Sequence, residues 1–138
     1  MGRPLPRGAA GSPQLDEHAR PPDQALRLAQ RLIEGGQPFR AHEVLEASWH
    51  AAPEAERELW RGLAQVAVGL THAQRGNARG AVALLRRGAA RVAAYAAGAP
   101  HGVDAAGVAA ASLALAGTIE RGGTAAAGDG PEIRLISG

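Results

Sequence analysis

Five stretches of the chain repeat apolar residues at the three- and four-residue spacing of a helix face. They cover about residues 23–34, 38–50, 53–75, 78–97 and 104–121. Asp23 and Asp104 are predicted N-caps, Pro38 and Pro53 suit a first helical turn, and glycines follow several of the stretches. No other stretch has the alternation of a half-buried strand, so the pattern predicts an all-α fold, a single compact bundle of about five helices.

The ends of the chain have a different character from its centre. Residues 1–22 are rich in Pro, Gly and Arg without periodicity and are predicted to be a disordered arm. Residues 23–121 form the predicted helical bundle domain, and residues 122–138 a flexible tail. Within that tail, the short apolar piece at 131–136 could lie extended against the bundle.

Composition narrows the class of protein. A length of 138 residues suits one domain with one core, and the lack of Cys excludes disulfides and thiolate chemistry. No apolar run reaches the roughly 18 residues that a membrane span needs. The N-terminal region has no apolar centre of the kind found in a signal peptide. We therefore expect a cytoplasmic protein without a membrane partner.

Charge is unevenly distributed although the net charge is only +2. All 15 basic residues are Arg, and six of them lie between Leu59 and Val103, where there is no acidic residue. This stretch lacks interleaved aromatics, so a solvated face is favoured over a nucleic-acid or other anionic partner. An acidic group precedes it at Glu54, Glu56 and Glu58, which leaves head-to-tail homo-oligomer formation open.

The second helix combines polar and apolar residues on one face. Its "FRAHEVLEASW" resembles a zinc-protease H-E-x-x-H helix, but Glu46 replaces the second histidine and makes the motif HExxE. Projection at 100° per residue places His42 and Glu46 on the same side as Phe39, Leu45 and Trp49. We therefore expect both polar side chains to be buried or nearly so, and a buried carboxylate needs a partner.

The third helix offers such a partner. One side is an apolar stripe, and the other carries Arg61, Gln65 and His72 beside the glycines Gly62 and Gly69. Glycines allow close backbone approach, so another helix should pack on this side. The short link through residue 53 makes helix two an antiparallel neighbour. The prediction is one cluster between helices two and three, formed by His42, Glu46, Arg61, Gln65 and His72.

The cluster has several interpretations. It could be a structural network that sets helix register, with Glu46 and Arg61 as an ion pair. It could instead form a pocket for a small molecule, with Glu43, Trp49, Arg61 and Gln65 as ligand-binding candidates. Glu43 faces mostly outward and would line the mouth of such a pocket.

Two further alternatives concern chemistry and assembly. An acid/base hydrolase of a small substrate would use His42 as proton carrier, Glu46 to orient it, and His72 as a polarising group. A divalent metal is the one cofactor considered, held by His42, Glu46 and His72, although three ligands on two helices are a loose signal. A helical protein–protein interaction module is the remaining class. His50 and His101 are interpreted as exposed.

Two stretches, "FRAHEVLEASW" and "LWRGLAQVAVGLTHAQRGNARGAVALLRRG", together resemble the family called domain of unknown function 309. The resemblance spans about residues 24–121 and implies a compact helical bundle. Ala64 and His50 depart from the family's usual pattern, but neither lies on the polar stripe. The family has no assigned activity, so the resemblance implies no reaction. The matching polar signature consists of His42, Glu43, Glu46, Trp49, Gly62, Gln65, His72, Gly76, Asn77 and Gly80.

Gly76 and Asn77 have a structural interpretation. Gly76 is predicted to end helix three in a left-handed cap, and the Asn77 side chain to cap helix four.

Overall fold

The computed structural model describes residues 19–122 and 133–136. Within them the chain forms five α-helices and two short 3₁₀ turns, Glu54–Glu56 and Pro100–Gly102, which confirms the predicted all-α bundle. The predicted arm, except for residues 19–22, and most of the predicted tail lie outside the described residues. The helices are α1 (Pro22–Glu34), α2 (Pro38–Ala51), α3 (Arg57–Gln74), α4 (Ala78–Ala93) and α5 (Ala105–Glu120).

Helix α3 is the central element of the bundle. It packs against α2 on one side and α4 on the other, while α1 packs on α2 and α5 on α4. Neighbours in sequence are therefore neighbours in space, as short connections favour. The core that results is made mainly of Leu, Val and Ala, and Trp60 is its largest fully buried side chain. No helix in the described part of the chain has both the length and the apolarity to cross a membrane.

The helix ends follow local chemistry with two differences from prediction. Asp104 caps α5 through its carboxylate, which accepts from the Gly107 amide at 3.1 Å. Asp23, in contrast, is not an N-cap, because α1 begins one residue earlier at Pro22. Asp23 instead pairs with Arg27 one turn on, at 3.3 Å. Helix α4 ends at residue 93 rather than 97, because the amides of residues 94–96 bond carbonyls three residues back.

Glycines bring α3 and α4 into direct backbone contact. A Cβ on Gly88 would lie 2.7 Å from the Gly62 carbonyl oxygen, and one on Gly69 would lie 2.9 Å from Leu85 Cγ. The predicted close approach therefore exists, but the predicted neighbour is wrong. The glycine side of α3 faces α4 rather than α2, so these residues do not bring α2 and α3 together.

The segment 133–136 lies against the bundle. Ile133 and Leu135 are buried, and Ile136 forms an isolated antiparallel bridge with Val103. The Gln30 side chain of α1 donates to the Ile133 carbonyl at 3.2 Å and accepts from the Leu135 amide at 2.7 Å. The two earlier residues of the predicted extended piece, 131 and 132, are outside the described ranges.

Candidate functional site

A cleft of about 240 Å³ lies where α2, α3 and α4 meet. Side chains from all three helices form its wall. Four of the five residues of the predicted cluster line it, and His72 does not. The lining residues are His42, Glu46, Trp49, Arg61, Ala64, Gln65, Val68 and Leu84.

His42 and Glu46 are one turn apart on α2, and both side chains line the cleft. The His42 Nε2 and Glu46 Oε2 atoms are 3.8 Å apart, which is an ion-pair distance but too long for a hydrogen bond. The His42 side chain is 19% exposed, as the face pattern predicts, whereas Glu46 is 46% exposed. The expectation that Glu46 is buried is wrong, because its carboxylate reaches the open edge. The buried Nδ1 of His42 has no hydrogen-bond partner in the described structure.

Arg61 stacks on an aromatic ring rather than pairing with Glu46. Its guanidinium carbon lies 5.5 Å from the centre of the Trp49 ring, and its Nη1 is 4.0 Å from a Glu58 carboxylate oxygen. Arg57 approaches the same indole at 5.9 Å. The predicted Glu46–Arg61 ion pair is therefore not formed. Half-buried Trp49 supports two guanidinium groups, and among the described residues most donor atoms of Arg61 have no protein acceptor.

Gln65 is oriented by α4. Its Oε1 accepts from Arg91 Nε at 3.0 Å, and Arg91 is itself held by an ion pair with Glu58. Because the amide oxygen is engaged, the Gln65 Nε2 group is the end that remains available as a donor. The cleft therefore combines a guanidinium, an amide donor, a carboxylate and an indole face.

His72 belongs to the α3–α4 turn. The Asn77 side chain caps α4 by accepting from the Gly80 amide at 3.1 Å, and its Nδ2 is 3.0 Å from His72 Nδ1. Since an amide nitrogen only donates, His72 Nδ1 is the acceptor. A Cβ on Gly80 would lie 2.7 Å from Asn77 Nδ2. Gly76 has a φ of 80°, so both turn residues take their predicted structural positions.

The geometry also bears on two other candidate roles, the metal site and the ligand-binding role of Glu43. Among the described residues, no group of three or more His, Cys, Asp or Glu side chains is arranged to hold a metal, and His72 is separate from His42 and Glu46. Glu43 is half-buried and does not line the cleft.

The basic stretch is partly neutralised within the chain. Arg86 donates to both carboxylate oxygens of Glu120, at 2.7 and 3.1 Å. These hydrogen bonds and the opposite charges raise the pKa of Arg86 and lower the pKa of Glu120. Arg86 is exposed, as predicted, but it is not simply solvated.

A second polar centre was not predicted from the sequence. Glu56 Oε1 accepts from Trp60 Nε1 at 3.2 Å and lies 2.9 Å from His101 Nε2. Burial raises the pKa of Glu56, but the hydrogen bonds and the charge of His101 outweigh it and leave this pKa below its ordinary value. His101 has a φ of 62°, unusual for a residue other than glycine. The two residues are 45 positions apart, so no local pattern signals their contact.

The comparison with known families agrees with the resemblance of the two quoted stretches. The family model described as Domain of unknown function (DUF309) matches residues 26–84, from α1 into α4. This region contains every residue that lines the cleft, so the cleft lies within the part of the chain that is similar to that family. Residues 85–121 of the predicted resemblance lie beyond the match. Neither the comparison with curated proteins nor the comparison with solved structures gives a match.

Proposed function

We propose that the cleft between α2, α3 and α4 binds a small zwitterionic ligand, one that carries an anionic group and a donor group on a partly apolar body. The observation that carries the proposal is the unused hydrogen-bonding capacity of three side chains that converge on one space. Arg61 and the Gln65 amide supply donors, and Glu46 supplies acceptors. A guanidinium and a carboxylate that line the same cleft are complementary to a ligand that carries both charges.

The anionic end of the ligand would lie against Arg61 and Gln65. A guanidinium binds carboxylates through a planar fork of donors, and stacking on Trp49 holds that fork in place. Gln65 adds a donor whose orientation is set by the Arg91 contact. This pre-arrangement lowers the entropy cost of binding.

The donor end of the ligand would lie against Glu46. Its carboxylate has one side-chain neighbour at ion-pair distance in the described structure, His42 at 3.8 Å, so its oxygens have free lone pairs. Ala64, Val68 and Leu84 provide an apolar wall for the body of the ligand. An apolar surface with a few placed polar groups is typical of small-molecule pockets, and a volume of about 240 Å³, below the usual range of roughly 300–1,000 Å³, restricts the ligand to a small one.

Binding is better supported than hydrolysis. A hydrolytic site that uses His42, Glu46 and His72 needs the three groups around one substrate, and His72 is instead bonded to Asn77 in the α3–α4 turn. The His42–Glu46 separation is also longer than the hydrogen bond that orients a general base. An interaction module is favoured by no specific contact of the described residues.

The test is a calorimetric titration with free amino acids and short ω-amino carboxylates. We expect at least one of these zwitterions to bind, and Arg61→Ala to weaken it by about tenfold, or ~1.4 kcal/mol. The matched control is Arg57→Ala, which removes a second guanidinium from Trp49 without changing the lining of the cleft. It should change affinity less than about twofold.

A second pair of variants tests the other end of the ligand. Glu46→Gln should weaken the same zwitterion, whereas Glu43→Gln, on the same helix but outside the cleft, should not. His72→Ala should leave affinity unchanged. If no zwitterion binds, or if the two arginine variants weaken binding equally, the proposal is wrong.

A further inference from the structure

We propose that a second cavity, where the start of α1, the end of α2 and the start of α3 meet, binds a small amine with an apolar body. Its ammonium group would bond to the Glu56 carboxylate and the Ser48 hydroxyl. This site is separate from the α2–α3–α4 cleft and shares no lining residue with it.

The cavity is large enough for a small molecule and mostly apolar. It measures about 390 Å³, within the range of roughly 300–1,000 Å³ that is usual for ligand pockets. Small alanine and proline side chains form most of the wall, and the Trp60 indole adds an aromatic surface. The lining residues are Ala19, Arg20, Pro21, Pro22, Ser48, Ala51, Ala52, Pro53, Glu56 and Trp60.

Ser48 points to a ligand because its hydroxyl has no partner. The residue is 6% exposed, and its Oγ makes no hydrogen bond within the described structure. A serine in a helix ordinarily bonds the carbonyl four residues earlier or faces water, and Ser48 does neither. An unpaired buried hydroxyl is unfavourable, so a ligand group that bonds to it would recover that loss.

Glu56 supplies the charge that selects an amine. Both of its protein hydrogen bonds go to Oε1, from Trp60 and His101, so Oε2 is free in the described structure. Those two contacts also fix the carboxylate's direction. The low pKa of Glu56 keeps the group ionised at neutral pH. Arg20 also lines the cavity, but its side chain is exposed and its charge is screened by water.

His101 acts on this site as a positioning residue. It does not line the cavity, but its Nε2 lies 2.9 Å from Glu56 Oε1 and its ring centre is 6.1 Å from that of Trp60. The left-handed backbone of His101 brings the imidazole to Glu56. The turn before α5 thus supports the two side chains that would contact the ligand.

The test uses the fluorescence of Trp60 in the full chain. The protein has two tryptophans, so Trp49→Phe leaves Trp60 as the single indole reporter. Three probes of similar shape are titrated at pH 7.5: phenethylamine, 2-phenylethanol and phenylacetate. We expect saturable quenching or a spectral shift with phenethylamine, at least about tenfold weaker binding of the alcohol, and no binding of the carboxylate.

Charge variants identify the carboxylate responsible. Glu56→Gln can still accept from Trp60 and His101, so it should keep the fold while losing the preference for amine over alcohol. The matched control is Glu54→Gln, which removes a nearby charge that does not line the cavity and should preserve the preference. Ser48→Ala should weaken the amine by about threefold to tenfold while leaving the melting temperature equal or higher.

The outcomes separate the two proposals. Arg61→Ala should not affect phenethylamine binding, and Glu56→Gln should not affect zwitterion binding in the other cleft. Absence of a saturable Trp60 response, together with no phenethylamine-dependent rise in the melting temperature of the unmodified protein, overturns the inference. Equal binding of amine and alcohol, or equal effects of the Glu56 and Glu54 variants, overturns it as well.

Discussion

The two sides of α3 contrast in how they meet their neighbours. Toward α4, Gly62 and Gly88 place backbone against backbone, and a Cβ at either position would lie within 3 Å of other atoms. Toward α2, side chains such as His42 and Trp49 line a cleft at the shared edge of the two helices. Helix α3 therefore has a backbone contact with α4 and, at its edge toward α2, a cleft where polar groups remain reachable.

The contrast also explains where the polar side chains of α3 lie. Arg61 and Gln65 could not be accommodated in the glycine contact with α4, because no space exists there for side chains. They lie at its border, where Gln65 reaches Arg91 and Arg61 reaches Trp49. Close packing at the glycines thus leaves the neighbouring cleft as the place for these hydrophilic groups.

The largest effect is expected on the close-packed side. In Gly88→Ala the new methyl group would lie 2.7 Å from both the Gly62 carbonyl oxygen and Val66 Cγ2. Overpacking of this kind costs about 1–3 kcal/mol of unfolding free energy. Urea denaturation measures it, with Gly98→Ala as the control, because nothing lies within 4 Å of a Cβ there. Equal midpoints for the two variants would contradict the close-packed interface.

Acid should affect the 3₁₀ turn at the start of α3, which carries Glu56. The pKa of Glu56 is lowered in the fold, so its stabilising contacts are complete above the ordinary glutamate pKa, roughly 4.3, and are lost as pH falls through the lower folded value. Thermal melts from pH 7 to 3 should therefore show a loss that Glu56→Gln reduces, by less than ~1 kcal/mol because the site is partly exposed. Glu54→Gln is the control and should retain the full loss. A Glu56→Gln curve that keeps the same acid slope would show that this carboxylate has no role in it.

The smallest effect is expected at the cleft. Glu46→Gln removes a half-exposed charge whose nearest partner, His42 Nε2, is 3.8 Å away. Exposed pairs one helical turn apart contribute about 0.3–0.5 kcal/mol, so the melting temperature should barely change. A loss above ~1 kcal/mol would instead favour the structural-network interpretation of the cluster, in which a buried carboxylate is left without a partner.

Much of the fold follows from local sequence signals. The periodicity predicts all five helices, and the caps at Asn77 and Asp104 form as expected because each depends on residues within one turn. The misplaced end of α4 and the misassigned cap at Asp23 are also local. Short-range hydrogen bonds decided the end of α4, and a proline decided the start of α1. The periodicity of apolar residues does not report on either effect.

The site was predicted less completely than the fold. Projection of α2 and α3 places His42, Glu46, Arg61 and Gln65 near one another, because residues on facing stripes of antiparallel neighbours must meet. His72 lies on the same stripe of α3 but near the end of the helix, where its imidazole accepts a hydrogen bond from Asn77. A helical wheel has no axial coordinate, so it groups residues that are separated along the helix. A helical wheel cannot predict the contact of Glu56 with His101, because the two residues are 45 positions apart.

The sequence alone determines the helices, their order and the polar and apolar faces, because these depend on interactions within a few residues. Only the tertiary structure decides which faces meet. Either α2 or α4 could have packed against the glycines of α3, and in the folded chain α4 does. The cleft at one edge of α3 and the contact of His101 with Glu56 likewise depend on residues that are distant in sequence, which no local pattern specifies.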